Sequence, residues 1–165
     1  MNIKWMRTPH KTRRYDLHIS TCHKYFKKST NKLHKTLEVE YKSLQVVKQL
    51  KLNKVQKLVD GDIDYTGTSY IITEYCGINL RRSLLPDDWK IQLDVIDQSL
   101  NELKNVKVFH NDVQVRNIFV MDSTLCLIDF DLATHGAPSR RSKARPEFNN
   151  CDRVRDKIHN RWKIE

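Results

Sequence analysis

The sequence predicts an α+β chain in two unequal parts: a small β-rich N-terminal half with one helix, and a reduced, mainly helical C-terminal half. Three observations predict it. Strand-like alternation is concentrated before Gly77, two windows carry helical spacing, and a pair of short apolar strands interrupted by polar residues follows the second window. About 39% of the 165 residues are hydrophobic, which supports a modest core.

The elements follow in order. Tyr15-Asp16-Leu17-His18-Ile19 alternates, and Tyr25-Phe26 follows, so two short strands are expected. Ser29-Thr30-Asn31 reads as a turn and helix start, and over residues 32–51 Leu33, Leu37, Glu40/Tyr41, Leu44 and Val47 recur at helical spacing. Val55–Val59 and Ser69–Tyr75 read as strands around turns at Gly61 and Gly67. Cys76-Gly77 is the natural hinge. Pro86, Asp87 and Asp88 suit the first turn of a helix to about Lys104, with Trp89, Leu93, Ile96, Leu100 and Leu103 on one face. Two apolar strands, Asn117–Met121 and Leu125–Phe130, flank Asp122-Ser123-Thr124. A helix is expected from Asp152 to Trp162, and Trp89 and Trp162 are expected to be core anchors.

Charge is unevenly placed. Residues 1–60 hold 15 Lys/Arg against 4 Asp/Glu, residues 61–136 hold 6 against 12, and residues 137–165 hold 9 against 4. Basic ends of this kind meet phosphates, nucleic acid or an acidic protein surface, or are simply solvated. No helix-turn-helix, zinc finger or RNP-like aromatic pattern supports nucleic acid as the partner. The cysteines, Cys22, Cys76, Cys126 and Cys151, form no CxxC pair and read as free thiols in a reducing compartment. No stretch has the length of a membrane span, and residues 1–14 lack the apolar centre of a signal peptide. The expectation is an intracellular, cytoplasmic protein.

The chemistry is concentrated in Val108–Val120 and Leu127–Thr134. His110, Asn111, Asp112, Arg116 and Asn117 interrupt an otherwise apolar run, and Asp129 ends the apolar strand Leu125-Cys126-Leu127-Ile128. Buried polar groups are costly unless paired, so such interruptions have a reason.

Here the chain resembles the protein kinase superfamily. His110-Asn111-Asp112 with Asn117 resembles the HRD-x4-N catalytic loop, and Asp129-Phe130-Asp131 resembles the metal-binding DFG. The resemblance spans roughly residues 15–134 and implies a truncated bilobal kinase-like fold, with an N-lobe at about 1–76 and a reduced C-lobe at about 77–165. It implies ATP and Mg²⁺ as cofactors. Asp112 would orient the attacking hydroxyl, His110 would brace the loop, and Asn117, Asp129 and Asp131 would face the metal. Thr73 would be the gatekeeper, with the backbone of Glu74 and Cys76 facing adenine. Lys27 would reach the phosphates and pair with Glu40, although Lys24 and Lys28 compete with Lys27, and Glu38 competes with Glu40.

The chain also departs from the pattern. No glycine precedes Gly61, so the Gly-rich loop is missing; the expectation is either that nucleotide is weakly held or that the basic residues of 1–28 replace the loop electrostatically. The N-lobe is expected to be one or two strands short. Asn111 stands where protein kinases have Arg, and HND with DFD resembles choline and aminoglycoside kinases. Only 34 residues follow Asp131, in which Ala144-Arg145-Pro146-Glu147 faintly resembles APE. The compact Lys/Asn-rich composition suggests a viral or mobile-element origin, with the host cytoplasm as the location if viral. The resemblance favours a minimal Ser/Thr protein kinase, with a small-molecule kinase and an inactive pseudokinase as alternatives. The phosphate acceptor would be a protein or a small molecule, and a partner or a dimer would complete the C-lobe.

Overall fold

The computed structural model describes residues 3–8, 14–31, 35–136 and 146–162. Its N-terminal part is an antiparallel five-stranded sheet built from β1 (Trp5–Arg7), β2 (Asp16–Ser20), β3 (Tyr25–Thr30), β4 (Leu58–Asp62) and β5 (Ser69–Glu74), in the order β1-β2-β3-β5-β4. β1 supplies a strand where the sequence predicts a shortage. Three residues are too short for alternation to register, and pairing with β2 (Trp5 opposite Ser20) defines it instead.

Helix α1 (Lys35–Leu50) buries Leu37, Glu40, Ser43, Leu44 and Val47 on one stripe against this sheet. Each fully buried leucine contributes about 2 kcal/mol. The helix ends in a Schellman motif. Lys51 takes the left-handed position (φ 53°), its N–H meets the Lys48 carbonyl at 3.3 Å, and the Leu52 N–H meets the Val47 carbonyl at 3.2 Å.

Gly77 (φ 87°) carries the chain into the second part. There β6 (Ile78–Asn79), β8 (Ile118–Met121) and β9 (Thr124–Leu127) form a sheet in the order β6-β8-β9, while β7 (Val108–Phe109) pairs with β10 (Thr134–His135). Asp122 and Ser123 both have positive φ (49° and 57°), as a two-residue type I′ hairpin between β8 and β9 requires. Helix α2 (Trp89–Asn105) buries Trp89, Leu93, Ile96, Leu100 and Leu103, and helix α3 (Asp152–Trp162) buries Val154 and Ile158. Trp89 is a core residue as expected; the side chain of Trp162 and most of the APE-like stretch lie outside the described residues. Arg155 ties the two helices, contacting Asp94 at 2.6 Å and Asp97 at 2.7 Å.

The two parts share contacts along 53–56. The Gln56 N–H meets the Leu127 carbonyl at 2.9 Å, the Leu127 N–H meets the Lys54 carbonyl at 2.9 Å, and Lys54 Nζ donates to Gln92 at 2.8 Å. One apolar cluster, which includes Leu37, Leu44 and Ile71, also takes in Leu103, Val108 and Phe130 from beyond Gly77. The cleft therefore opens between parts that share a core.

Candidate active site

The floor of the site is a polar loop, residues 110–117, of which only Arg116 lines the cleft itself. His110 is fully buried, with its Nε2 at 3.1 Å from the Ile128 carbonyl and its Nδ1 accepting the Asp112 N–H at 3.2 Å. That pattern needs a neutral ring with its proton on Nε2, and burial holds the His110 pKa below its ordinary value. The ring also meets Phe130 edge-on at 4.5 Å. His110 thus fastens the loop to the strand that precedes Asp129.

Asn111 adopts φ 64°, a left-handed conformation that asparagine tolerates well. Its Nδ2 donates to the Leu132 carbonyl at 3.0 Å and to Thr134 Oγ1 at 3.1 Å, and its side chain and N–H exchange bonds with Asn149 at 3.1 and 2.8 Å. An uncharged amide thereby ties the loop to the segments on either side.

Asp112 is 2% exposed. Its carboxylate accepts Asn117 Nδ2 at 2.9 Å and Arg116 Nη2 at 2.8 Å, and Gln114 Nε2 also donates to it. The Asn117 amide nitrogen is spent on Asp112, so Oδ1 is the atom of Asn117 that would meet a cation. His110, Asp112 and Asn117 lie behind the cleft lining, whereas Arg116 is part of it.

The roof is organised by Lys28. Its Nζ donates to Glu40 Oε2 at 2.7 Å and to Asp129 Oδ1 at 3.1 Å, and sits 5.1 Å from the centre of the Tyr15 ring. Burial works against its charge, yet the two carboxylates prevail and raise its pKa. Burial pushes Glu40 up to about 7 despite the pull of Lys28. Tyr15 is in turn hydrogen-bonded to Thr36 at the start of α1.

The lysine expected opposite Glu40 was Lys27, and this is corrected: Lys27 is on the other face of β3. Its Nζ lies 5.8 Å from the Trp5 ring and 5.2 Å from the Tyr70 ring. The reason is register. β3 pairs with β5 so that Phe26 faces Thr73 and Lys28 faces Ile71, and these four residues all line the cleft. Adjacent residues on a strand point to opposite faces, so Lys27 cannot join them. Between the competing glutamates, Glu40 is buried, while Glu38 bonds Lys42 at 2.6 Å and Tyr65 at 3.1 Å nearer the surface.

The rest of the hinge prediction divides. Thr73 and Cys76 line the cleft. Thr73 Oγ1 accepts Gln56 Nε2 at 2.8 Å. Glu74 is not in the lining, and its N–H is taken by the Lys57 carbonyl at 3.0 Å.

Asp129 brings the second part of the chain to Lys28. It has φ 70°, a conformation uncommon outside glycine, with its side chain 34% exposed. Burial first, and then the charge of Asp129, pushes the Asp131 carboxyl above its ordinary range. Both carboxylates line the cleft, whose volume is about 820 Å³, within the range of small-molecule sites. A cation would relieve their repulsion, so the residues fit one. Among the described residues no cluster of three or more His, Cys, Asp or Glu could hold a metal unaided. Magnesium bound through one or two carboxylates and the phosphates of its nucleotide needs no such cluster.

Sequence reasoning missed Gln56, Arg81 and Arg82, which line the cleft, and included Arg14 only among the basic residues of 1–28. Arg14 follows a predominantly basic stretch between β1 and β2, of which residues 9–13 lie outside the described ones. The basic composition there was the available signal.

No protein-family model matches the sequence, and no curated protein matches it either. Solved structures do. The chain is similar to the kinase PK-1 of Cydia pomonella granulovirus, with a TM-score of 0.64 and 20% identity over 82% of this chain and 54% of that one. A Plasmodium kinase domain gives 0.64 and 17% over 84% and 53%. The yeast RNA Pol II CTD kinase CTDK-1 complex gives 0.59 and 18% over 81% and 47%. The chain has a protein-kinase-like fold and spans about half the length of these structures. No helix among the described residues is long and apolar enough to cross a membrane.

Proposed function

We propose that the chain is an ATP- and Mg²⁺-dependent phosphotransferase, a minimal Ser/Thr protein kinase whose lobes meet at about residue 76. The observation that carries this reading is the ion bridge Glu40–Lys28–Asp129, which lines one cleft together with Arg116 of the Asp112–Asn117 loop. Such a lysine, raised in pKa and held by a buried glutamate, is a fixed positive charge for nucleotide phosphates.

In this reading Asp129, Asp131 and Asn117 Oδ1 hold Mg²⁺, which supplies charge neutralisation on the phosphates when bound. Thr73 and Cys76 border the adenine end. Asp112 accepts the proton of the acceptor hydroxyl once Arg116 or Gln114 swings away from it, and His110 positions the loop without reacting. Phosphoryl transfer rests on positioning and electrostatics, and this set of residues supplies both.

One observation favours a second reading. Asp112 is buried and already carries three donors, which suits a pseudokinase that binds nucleotide or a partner without turnover. Purified protein assayed for Mg²⁺-dependent ATP turnover and autophosphorylation, beside Asp129→Asn, separates the two. Turnover that disappears in the variant supports the kinase. ATP binding without turnover in the wild type supports the pseudokinase. If turnover occurs with choline or an aminoglycoside but with no protein acceptor, the small-molecule alternative replaces the Ser/Thr assignment.

A further inference from the structure

Two of the four cysteines meet at the hinge. Cys76 Sγ and Cys126 Sγ are 2.7 Å apart although 50 residues separate them in sequence. The meeting is built by the backbone. Gly77 has φ 87°, and a Cβ there would collide with the Val120 carbonyl, so the chain passes tightly over β8. β8 lies between β6, which follows Cys76 closely, and β9, which carries Cys126 opposite Phe119. Cys76 is thereby brought to the far strand.

The other two thiols are placed differently. Cys151 is fully buried, and Cys22 is exposed beside Ser20. Cys76 lines the open cleft, whereas the Cys126 thiol is held well above its ordinary pKa, first by its hydrogen bond to Cys76 and then by burial. Both cysteines are partly buried, and Cys76 is the one of the pair that lines the cleft.

We propose that Cys76 and Cys126 form a reversible disulfide on exposure to a peroxide, stapling the hinge to the strand that leads into Asp129. The Cys76 thiolate attacks one peroxide oxygen, the O–O bond breaks, and Cys76 becomes a sulfenic acid as the first water leaves. The Cys126 sulfur then displaces the sulfenic oxygen, which departs as a second water with the Cys126 proton. Two thiols are oxidised and one hydrogen peroxide is reduced to two waters; a small dithiol reverses the bond. The staple spans the hinge end and the Asp129 end of the cleft, and it does not depend on whether the cleft transfers phosphate.

The test uses the full chain carrying Cys22→Ser, which removes the exposed competitor. After brief treatment with hydrogen peroxide and alkylation, a non-reducing digest read by mass spectrometry should show one cross-linked peptide pair, Cys76 with Cys126, and intact mass lower by two hydrogens. The oxidised protein should melt roughly 5–10 °C higher than the reduced one. In Cys22→Ser/Cys126→Ser the same treatment should leave Cys76 as a sulfenic acid that dimedone traps, with no rise in melting temperature. Full alkylation of both Cys76 and Cys126 after a treatment that oxidises Cys22 in the natural sequence would overturn the proposal. So would a cross-link to any other cysteine, or Cys76–Cys126 bridging with unchanged melting, since the bridge would then not act as a staple.

Discussion

The floor and the roof of the cleft are built on different length scales. On the floor the bonds that gather Asp112 and Asn117 are local, His110 to Asp112 spanning two residues and Asp112 to Asn117 five, while His110 and Asn111 anchor the loop to Ile128, Leu132, Thr134 and Asn149. On the roof Lys28 reaches Glu40 across 12 residues and Asp129 across 101. Asp112 and Asn117 are thus gathered within the loop itself, whereas the ion bridge exists only once sheet, helix and lower part have docked. A local network specifies itself, while a long-range pair is specified by register.

The largest expected effect tests whether the two halves form one site. Asp129→Asn should lower phosphotransfer by about 1000-fold with the fold intact, read as Mg²⁺-dependent ATP turnover beside circular dichroism. Lys28→Met should lower kcat/KM by roughly 100-fold, and it leaves Glu40 buried without its partner. The stability cost should be about 3 kcal/mol by urea unfolding, with much of it recovered in Lys28→Met/Glu40→Leu. No recovery in the double variant would mean that the pair is not the source of the loss.

On the floor, Asn111→Ala removes bonds to Leu132, Thr134 and Asn149 and places alanine at φ 64°, for a loss of about 2 kcal/mol by the same measurement. A smaller effect is read by pH. Burial lowers the His110 pKa, so the unfolded chain takes up that proton near pH 6.5 before the folded one does. Its contribution to stability should fall as pH drops below about 6.5, by at most about 1.4 kcal/mol per pH unit. Glu40, raised to about 7, runs the other way, losing stability as pH rises towards that value. The informative quantity is therefore the difference between wild type and His110→Gln, in unfolding midpoints at pH 7.5 and 5.5; a difference independent of pH would rule out the neutral buried ring. The smallest effect belongs to Lys27→Met, which should cost no more than about 1 kcal/mol and leave turnover within about threefold, because that side chain only covers Trp5 and Tyr70. If Lys27→Met matched Lys28→Met in turnover, the contrast between the two strand faces would collapse.

What could be read from the sequence follows the same division. Helix α3 agrees at both ends, and α1 and α2 lie within a few residues of their predicted spans, because each presents an apolar stripe at helical spacing. The polar interruptions at 110–117 and the carboxylate at Asp129 stood out because apolar neighbours make buried polar groups conspicuous. β1, β6, β7 and β10 are two or three residues long, too short for any period, and exist through their partners.

The sequence by itself determined the mixed fold, the order of its longer elements and the local loop that gathers Asp112 and Asn117. Only the tertiary structure decided which lysine faces the cleft, because Lys27 and Lys28 are chemically identical neighbours and a strand alternates its faces at every residue. The pairing of Phe26 with Thr73 and Lys28 with Ile71 selects between them. It likewise brought Cys76 against Cys126, since no local pattern encodes a contact made by a glycine crossing over an intervening strand.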